Sequence, residues 1–216
     1  MKLKSFGCSF IFGTDLHDDS RQGPKATPSN YTWPALLAKK HNWDYTCYAR
    51  PGSGNLQITE AILNQLTDSE PAIYVIGWTW IDRFDYTTAD ARRSWHTIMP
   101  VDTDTLAKTY YRDLHSEYRD KLTTLMNVKL CIDALVKSGN KFIMTYMDDL
   151  MFDQRWNTSP AVSLLQGQCE PYMTRFNNKS FLEYSKEKGF EISQTLHPLE
   201  DAHQAASNLI YSYNLV

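Results

Sequence analysis

Residues 72–77, AIYVIG, are apolar at successive positions, so an extended strand here is apolar on both faces. A strand with one wet face alternates apolar and polar residues, whereas one that is apolar throughout belongs at the centre of a parallel sheet with helices on each side. The rest of the chain supplies the covering. Residues 2–6 predict a strand running into Gly7-Cys8-Ser9, and residues 44–49 a second strand running into Pro51-Gly52-Ser53-Gly54-Asn55. A helical stretch follows each. Thr32 offers an N-cap and Pro34 falls in the first turn of a helix over 33–41, while Ile58, Ile62, Leu63 and Leu66 recur at helical spacing.

Further on, Leu106, Tyr110, Leu114, Tyr118, Leu122, Leu125, Leu130 and Leu135 give 105–137 an apolar face, a long helix or a helix pair closed by Ser138-Gly139-Asn140. A fourth strand over 141–146, a helix over 179–188 closed by Gly189, a short fifth strand over 190–193 and a final helix over 198–213 complete the pattern. Residues 14–31, 82–103 and 147–176 show no clear periodicity and predict long exposed or irregular excursions.

Strands alternating with helices through right-handed crossovers predict a three-layer α/β/α sandwich, flavodoxin-like, around a parallel sheet of about five strands. With 216 residues the chain has the length for one such domain, spanning 1–216. Ligands in these folds sit beyond the carboxyl ends of the strands. That directs attention to Gly7-Cys8-Ser9, Pro51-Gly52-Ser53, Trp78-Thr79-Trp80, Asp148-Asp149 and the segment around His197.

Hydrophobic residues make up 42% and charged residues 22%, which excludes disordered and fibrous classes. Twenty-two basic against 25 acidic residues give a net charge of −3, with no basic stripe, so nucleic acid is not an expected partner. The longest apolar run, 72–80, is about half of a bilayer span, and the start MKLKSF lacks the apolar core of a signal peptide. The expectation is a cytoplasmic protein without membrane contact. Cys8, Cys47, Cys131 and Cys169 form no paired motif, so they predict reduced thiols and no zinc site. No cofactor is expected. Some of Trp33, Trp78, Trp80, Trp95 and Trp156, near element ends, are candidates to line a cleft.

A serine hydroxyl becomes a nucleophile when a base takes its proton and N–H donors face the developing oxyanion. Ser9 sits on a glycine-led turn after the first strand, where such donors are plentiful. His197, held in extended backbone by Pro198, is the candidate base. Gly52 and Asn55 offer a bare amide and a side-chain amide to an oxyanion. Asp148 and Asp149 could meet a cation or a substrate hydroxyl, and Asp15, His17, Asp18 and Asp19 are of a type that holds a divalent metal, although such polar runs are usually just hydrated. Arg83, flanked by Asp82 and Asp85, is a candidate pocket rim that could pair with a substrate carboxylate.

In order and spacing these residues resemble the SGNH (GDSL-like) hydrolases, in particular divergent members found in phage genomes. Ser5-Phe6-Gly7-Cys8-Ser9-Phe10 resembles the family's first block, Trp33-Pro34-Ala35-Leu36-Leu37 the helix that often follows, and Ala49-Arg50-Pro51-Gly52-Ser53 the second block. His197-Pro198 resembles the fifth block, and His203 falls where a second histidine often lies. The resemblance implies Ser9 as nucleophile, His197 as base, and the amides of Ser9 and Gly52 as oxyanion donors. Thr79 stands where the third block has Asn, in Gly77-Trp78-Thr79-Trp80, and Gln194 where the fifth block has Asp. The imidazole would then be oriented by Gln194, Asp201 or a backbone carbonyl, and the oxyanion completed by Thr79 or Asn55. The implied activity is hydrolysis of an ester such as an O-acyl group on a carbohydrate. The rivals are a binding or virion-associated protein that keeps the scaffold, and acyl transfer. Oligomeric state is not encoded in any feature of the sequence.

Overall fold

A computed structural model describes residues 1–18, 26–68, 70–89 and 94–213. In chain order the elements are β1 (Lys2–Phe6), α1 (Ser9–Phe12), α2 (Trp33–His41), β2 (Asp44–Cys47), α3 (Asn55–Gln65), β3 (Ala72–Trp78), β4 (Phe84–Thr87), β5 (Trp95–Ile98), α4 (Thr105–Asp113), α5 (Glu117–Ser138), β6 (Lys141–Tyr146), α6 (Pro160–Cys169), α7 (Phe181–Glu187) and α8 (Glu200–Ser212).

The main sheet is parallel in the order β2-β1-β3-β6, with four strands instead of five. Residues 190–193 do not join it. Their one ladder contact is an isolated antiparallel bridge, Ile192 to Pro198, because the chain turns back on itself to enter α8. Two stretches without periodicity also carry regular structure. Residues 82–103 hold the antiparallel hairpin β4–β5, and residues 147–176 hold α6, introduced by Ser159 and Pro160. The described parts of 14–31 are not all exposed, since Thr14, Leu16 and Ser29 are buried.

Alternation along β3 builds both cores. Ile73 and Val75 join Leu3, Trp33, Leu37, Phe181, Ala206 and Ile210 under α2, α7 and α8. Tyr74, Ile76 and Trp78 join Phe6, Ile62, Leu125, Val128 and Val162 under α3, α5 and α6. All seven residues of β3 are buried, as a doubly covered central strand requires. Among the described residues no helix is long and apolar enough to cross a membrane.

The turn from β1 into α1 depends on two glycines in contact. A Cβ on Gly7 would stand 2.6 Å from Ile11 Cγ1 and 2.9 Å from the Gly77 carbonyl oxygen, and one on Gly77 would stand 2.7 Å from Ile11 Cγ1. The close approach lets α1 lie directly over the end of β3. Gly7→Ala is therefore expected to lower stability by about 3 kcal/mol, measured as a fall in the urea midpoint with an unchanged m-value.

His203 contributes to the fold in a pH-dependent way. Fully buried on α8, its Nδ1 accepts the Trp33 N–H at 3.0 Å, an otherwise unpaired donor at the start of α2. Burial pushes its imidazole down to about 3. The unfolded chain, with an ordinary histidine near 6.5, binds the proton first as pH falls, so this contribution is complete above about 6.5 and lost below it. Between pH 7.5 and 5 the wild type should lose about 2 kcal/mol more stability than His203→Gln, read from denaturant midpoints at the two pH values.

Candidate active site

In the order β2-β1-β3-β6 the chain reverses its direction of winding between β1 and β3, and the crevice beyond their carboxyl ends is where such sheets bind ligands. Ser9 follows β1 there as the buried first residue of α1. Cys8 and Ser9 begin a helical turn in which Ile11 and Phe12 both donate to the Cys8 carbonyl, so the Ser9 N–H has no partner in that turn.

His197 is brought to the same place from the far end of the chain. Its ring packs on Phe10, the residue after Ser9, with centroids 5.1 Å apart. Phe10 also meets Trp80 edge-on at 5.6 Å, and the Arg83 guanidinium lies 4.9 Å over the Trp80 ring while donating to the Ser53 carbonyl at 3.0 Å. A continuous arc thus runs from His197 through Phe10, Trp80 and Arg83 to the Gly52-Ser53 turn, uniting segments from β1, β2, β3 and the approach to α8.

Gly52 has a left-handed φ of 82°, half-exposed, and its N–H meets no acceptor among the described residues. The backbone N–H groups of Ser9 and Gly52 donate to no backbone acceptor among the described residues. The Asn55 side-chain amide is engaged. Its Oδ1 accepts the Thr79 N–H at 2.9 Å and its Nδ2 donates to the Thr79 carbonyl at 3.1 Å and to Thr124 Oγ1 at 3.3 Å. It is a buried brace between α3 and the end of β3. Thr79 is itself fully buried, its backbone N–H is taken by Asn55, and its hydroxyl has no hydrogen-bond partner among the described residues. Trp78, a suggested pocket residue, faces the opposite core and is fully buried. Trp33 also lies in a core, and Trp156 packs on Tyr118 with its indole N–H donating to Glu117, leaving Trp80 and Trp95 of the five candidates beside the cavities described below.

The orientation of His197 departs from the sequence expectation. Gln194 and Asp201, the latter on α8, are both exposed. Instead His197 Nδ1 lies 2.8 Å from Asp15 Oδ2, with the imidazole 12% and the carboxylate 20% exposed. In the sequence Asp15 stands out only as part of a metal-like cluster. That cluster is dispersed: His17 binds Glu200 at 2.8 Å, Asp18 accepts the Asn30 N–H at 2.9 Å, and Asp19 lies outside the described residues. Among the described residues no group of three or more His, Cys, Asp or Glu is placed to hold a metal ion.

Of the remaining acidic candidates, Asp85 and Asp148 bind main-chain N–H groups. Asp85 accepts from the Gly54 N–H at 3.0 Å, the Gln57 N–H at 2.9 Å and the Thr97 hydroxyl at 2.5 Å, joining the start of α3 to the β4–β5 hairpin. Burial raises its carboxyl above the ordinary range. Asp148 accepts from the N–H groups of Ile81 and Leu150, each at 3.0 Å, and is likewise raised by burial. Asp149 is pushed up to about 6 by burial and by the neighbouring Glu183 carboxyl.

The hairpin supplies a groove. One cavity of about 220 Å³ is lined by Arg50, Gly52, Ser53, Trp95, Thr97 and Met99, and another of about 220 Å³ by Trp80, Arg83, Met99 and Val101. They share Met99, so the groove passes from the Gly52 turn to Trp80.

No protein-family model and no curated protein matches the chain. Solved structures do. A member of the lipolytic protein G-D-S-L family from Veillonella parvula superposes with a TM-score of 0.51 at 13% identity, covering 98% of this chain and 97% of that one. TesA gives 0.55 at 15%, covering 98% and 97%. The acetyl xylan esterase Est2A from Butyrivibrio proteoclasticus gives 0.53 at 14%, covering 98% of this chain and 63% of that one. The chain has the fold of the GDSL (SGNH) lipolytic proteins and carbohydrate esterases.

Proposed function

We propose that this protein is a serine esterase in which Ser9 is the nucleophile and His197 the general base. The observation that carries the reading is the His197 ring packed on Phe10 beside Ser9, with its Nδ1 turned to a carboxylate, so that Nε2 is the nitrogen that exchanges protons.

In this mechanism Ser9 Oγ attacks the ester carbonyl carbon as its proton passes to His197. The tetrahedral oxyanion is held by the N–H groups of Ser9 and Gly52. Collapse breaks the bond to the alkoxide, which takes the proton from the imidazolium and leaves as the alcohol. Water then attacks the acyl-serine, gives a proton to His197 and releases the acid, and the proton returns to Ser9. With the Asn55 amide engaged by Thr79 and Thr124, and Thr79 fully buried, the oxyanion has two main-chain donors and no side-chain donor, and losing one donor typically costs about 10²–10³ in rate. A slow turnover is expected for this reason.

The substrate class that suits the groove is an O-acylated carbohydrate. Trp80 and Trp95 offer apolar faces of the kind that sugar rings stack on, and Arg50, Ser53, Thr97 and Arg83 offer polar contacts along the same path. Hydrolysis of acetylated xylo-oligosaccharides is compared with that of a short-chain aryl acetate. The expected result is that Trp95→Ala raises KM for the oligosaccharide about tenfold with little change for the aryl ester, about what one stacking contact is worth. Equal effects on both, or no oligosaccharide hydrolysis, would remove the carbohydrate assignment while leaving the esterase reading in place.

A further inference from the structure

We infer that Asp15, on the turn that follows α1, is the carboxylate that positions His197 for catalysis. The inference rests on the reading of Ser9 and His197 as nucleophile and base, and it moves the orienting acid away from the segment beside the histidine to the turn beside the serine.

The turn is built to present this side chain. The Ser9 carbonyl accepts from both the Gly13 N–H at 2.9 Å and the Thr14 N–H at 3.0 Å, so Asp15 leaves a short unit anchored on Ser9 itself. Gly13 has a φ of 88° and a Cβ there would stand 2.4 Å from Ser29 Cβ. Asp15 follows with a φ of 71°, a left-handed conformation that Asp and Asn tolerate better than other side chains. Nucleophile and acid therefore sit six residues apart on one rigid turn, and the histidine docks onto it.

The docking segment is shaped around the carboxylate. The hydroxyls of Ser193, at 2.7 Å, and Thr195 donate to Asp15 Oδ2 alongside His197 Nδ1. Ser193 Oγ in turn accepts the N–H groups of Thr195 at 3.2 Å and His197 at 3.1 Å. These contacts fold 193–197 over the acid. A carboxylate at Nδ1 fixes the proton on that nitrogen, leaves Nε2 as the basic one, and stabilises the imidazolium formed when Ser9 loses its proton. Among the described residues, the titratable groups sharing these surroundings include His203, buried and neutral on α8, which feels both His197 and Glu200, and Glu200 is bound by His17.

Asp15→Asn separates positioning from folding, because Asn tolerates the left-handed backbone and its amide oxygen can still accept from Ser193 and Thr195. The expected result is a fall in kcat/KM of about 10²–10⁴, with the acidic limb of its pH profile moved down by about one unit and the thermal midpoint nearly unchanged. The His197 ring, followed by NMR in a Ser9→Ala background where no turnover is needed, should titrate at lower pH once Asp15→Asn is added. A loss smaller than tenfold with an unmoved limb and an unmoved His197 titration would overturn the role of Asp15. Ser9→Ala, assayed alongside, reports separately on the underlying reading: full activity there would remove the esterase mechanism itself.

Discussion

Ser9→Ala is expected to lower kcat for ester hydrolysis by about 10⁴-fold or more while leaving the fold intact. Ser9 is buried at the start of a four-residue helix whose main-chain bonds come from Cys8 and Ser9 carbonyls, so removing the hydroxyl breaks none of them. His197→Ala should fall comparably, because a nucleophile and its base act as one unit and their losses do not add. The double variant should then be no worse than either single one. Steady-state kinetics on an aryl acetate, with circular dichroism as the folding control, measures all three. A Ser9→Ala protein retaining a tenth of the activity would point to a different nucleophile.

The second large effect is structural. Asn55→Ala removes the buried brace that ties α3 to the end of β3, leaving the Thr79 N–H and carbonyl without their side-chain partners in a site closed to water. Stranding buried polar groups costs about 1–3 kcal/mol for each, and about 3 kcal/mol in total is expected here. For a chain of this length that lowers the melting midpoint by roughly 10 °C, measured by calorimetry. The same brace holds the strand end that carries Trp80 and Arg83, so KM should rise for any substrate lying along the groove. A melting midpoint within 2 °C of wild type would show that Asn55 is not bracing the fold, and would return it to consideration as a ligand donor.

The layers of the sandwich were legible in the sequence because they depend on local pattern. Both-face apolarity marked β3, and Pro34 and Gly139 marked a helix start and a helix end. The β4–β5 hairpin was not legible, since its strands are four residues each and half-exposed, and are fixed by Asp85 reaching α3 and by Tyr111 donating to the Asp82 and Ile98 carbonyls. Residues 190–193 have a strand's composition, yet the sheet ends at β6 and β2 without them.

Of the proposed site, the placement of Ser9, Gly52 and His197 after strands and before the last helix was legible in the sequence. Asp15 was hidden by distance. Its contact with His197 spans 182 residues, and in the sequence it stands beside His17 and Asp18, where it looks like one of a group of hydrated acids. The one local signal was its place on the turn that Gly13 begins. Asn55 failed in the opposite sense: residue type and position suited an oxyanion donor, and only the packing of Thr79 and Thr124 shows its amide already used.

The esterase reading depends on Ser9 being activated within the folded protein. Labelling of the wild type with a fluorophosphonate, followed by intact mass and peptide mapping, tests this without any assumption about substrate. The account predicts one adduct per chain, on Ser9, formed far more slowly in His197→Ala and absent in Ser9→Ala. A folded wild type that takes no label, or takes it at another residue, would contradict it and would point to a scaffold that binds a ligand without cleaving it.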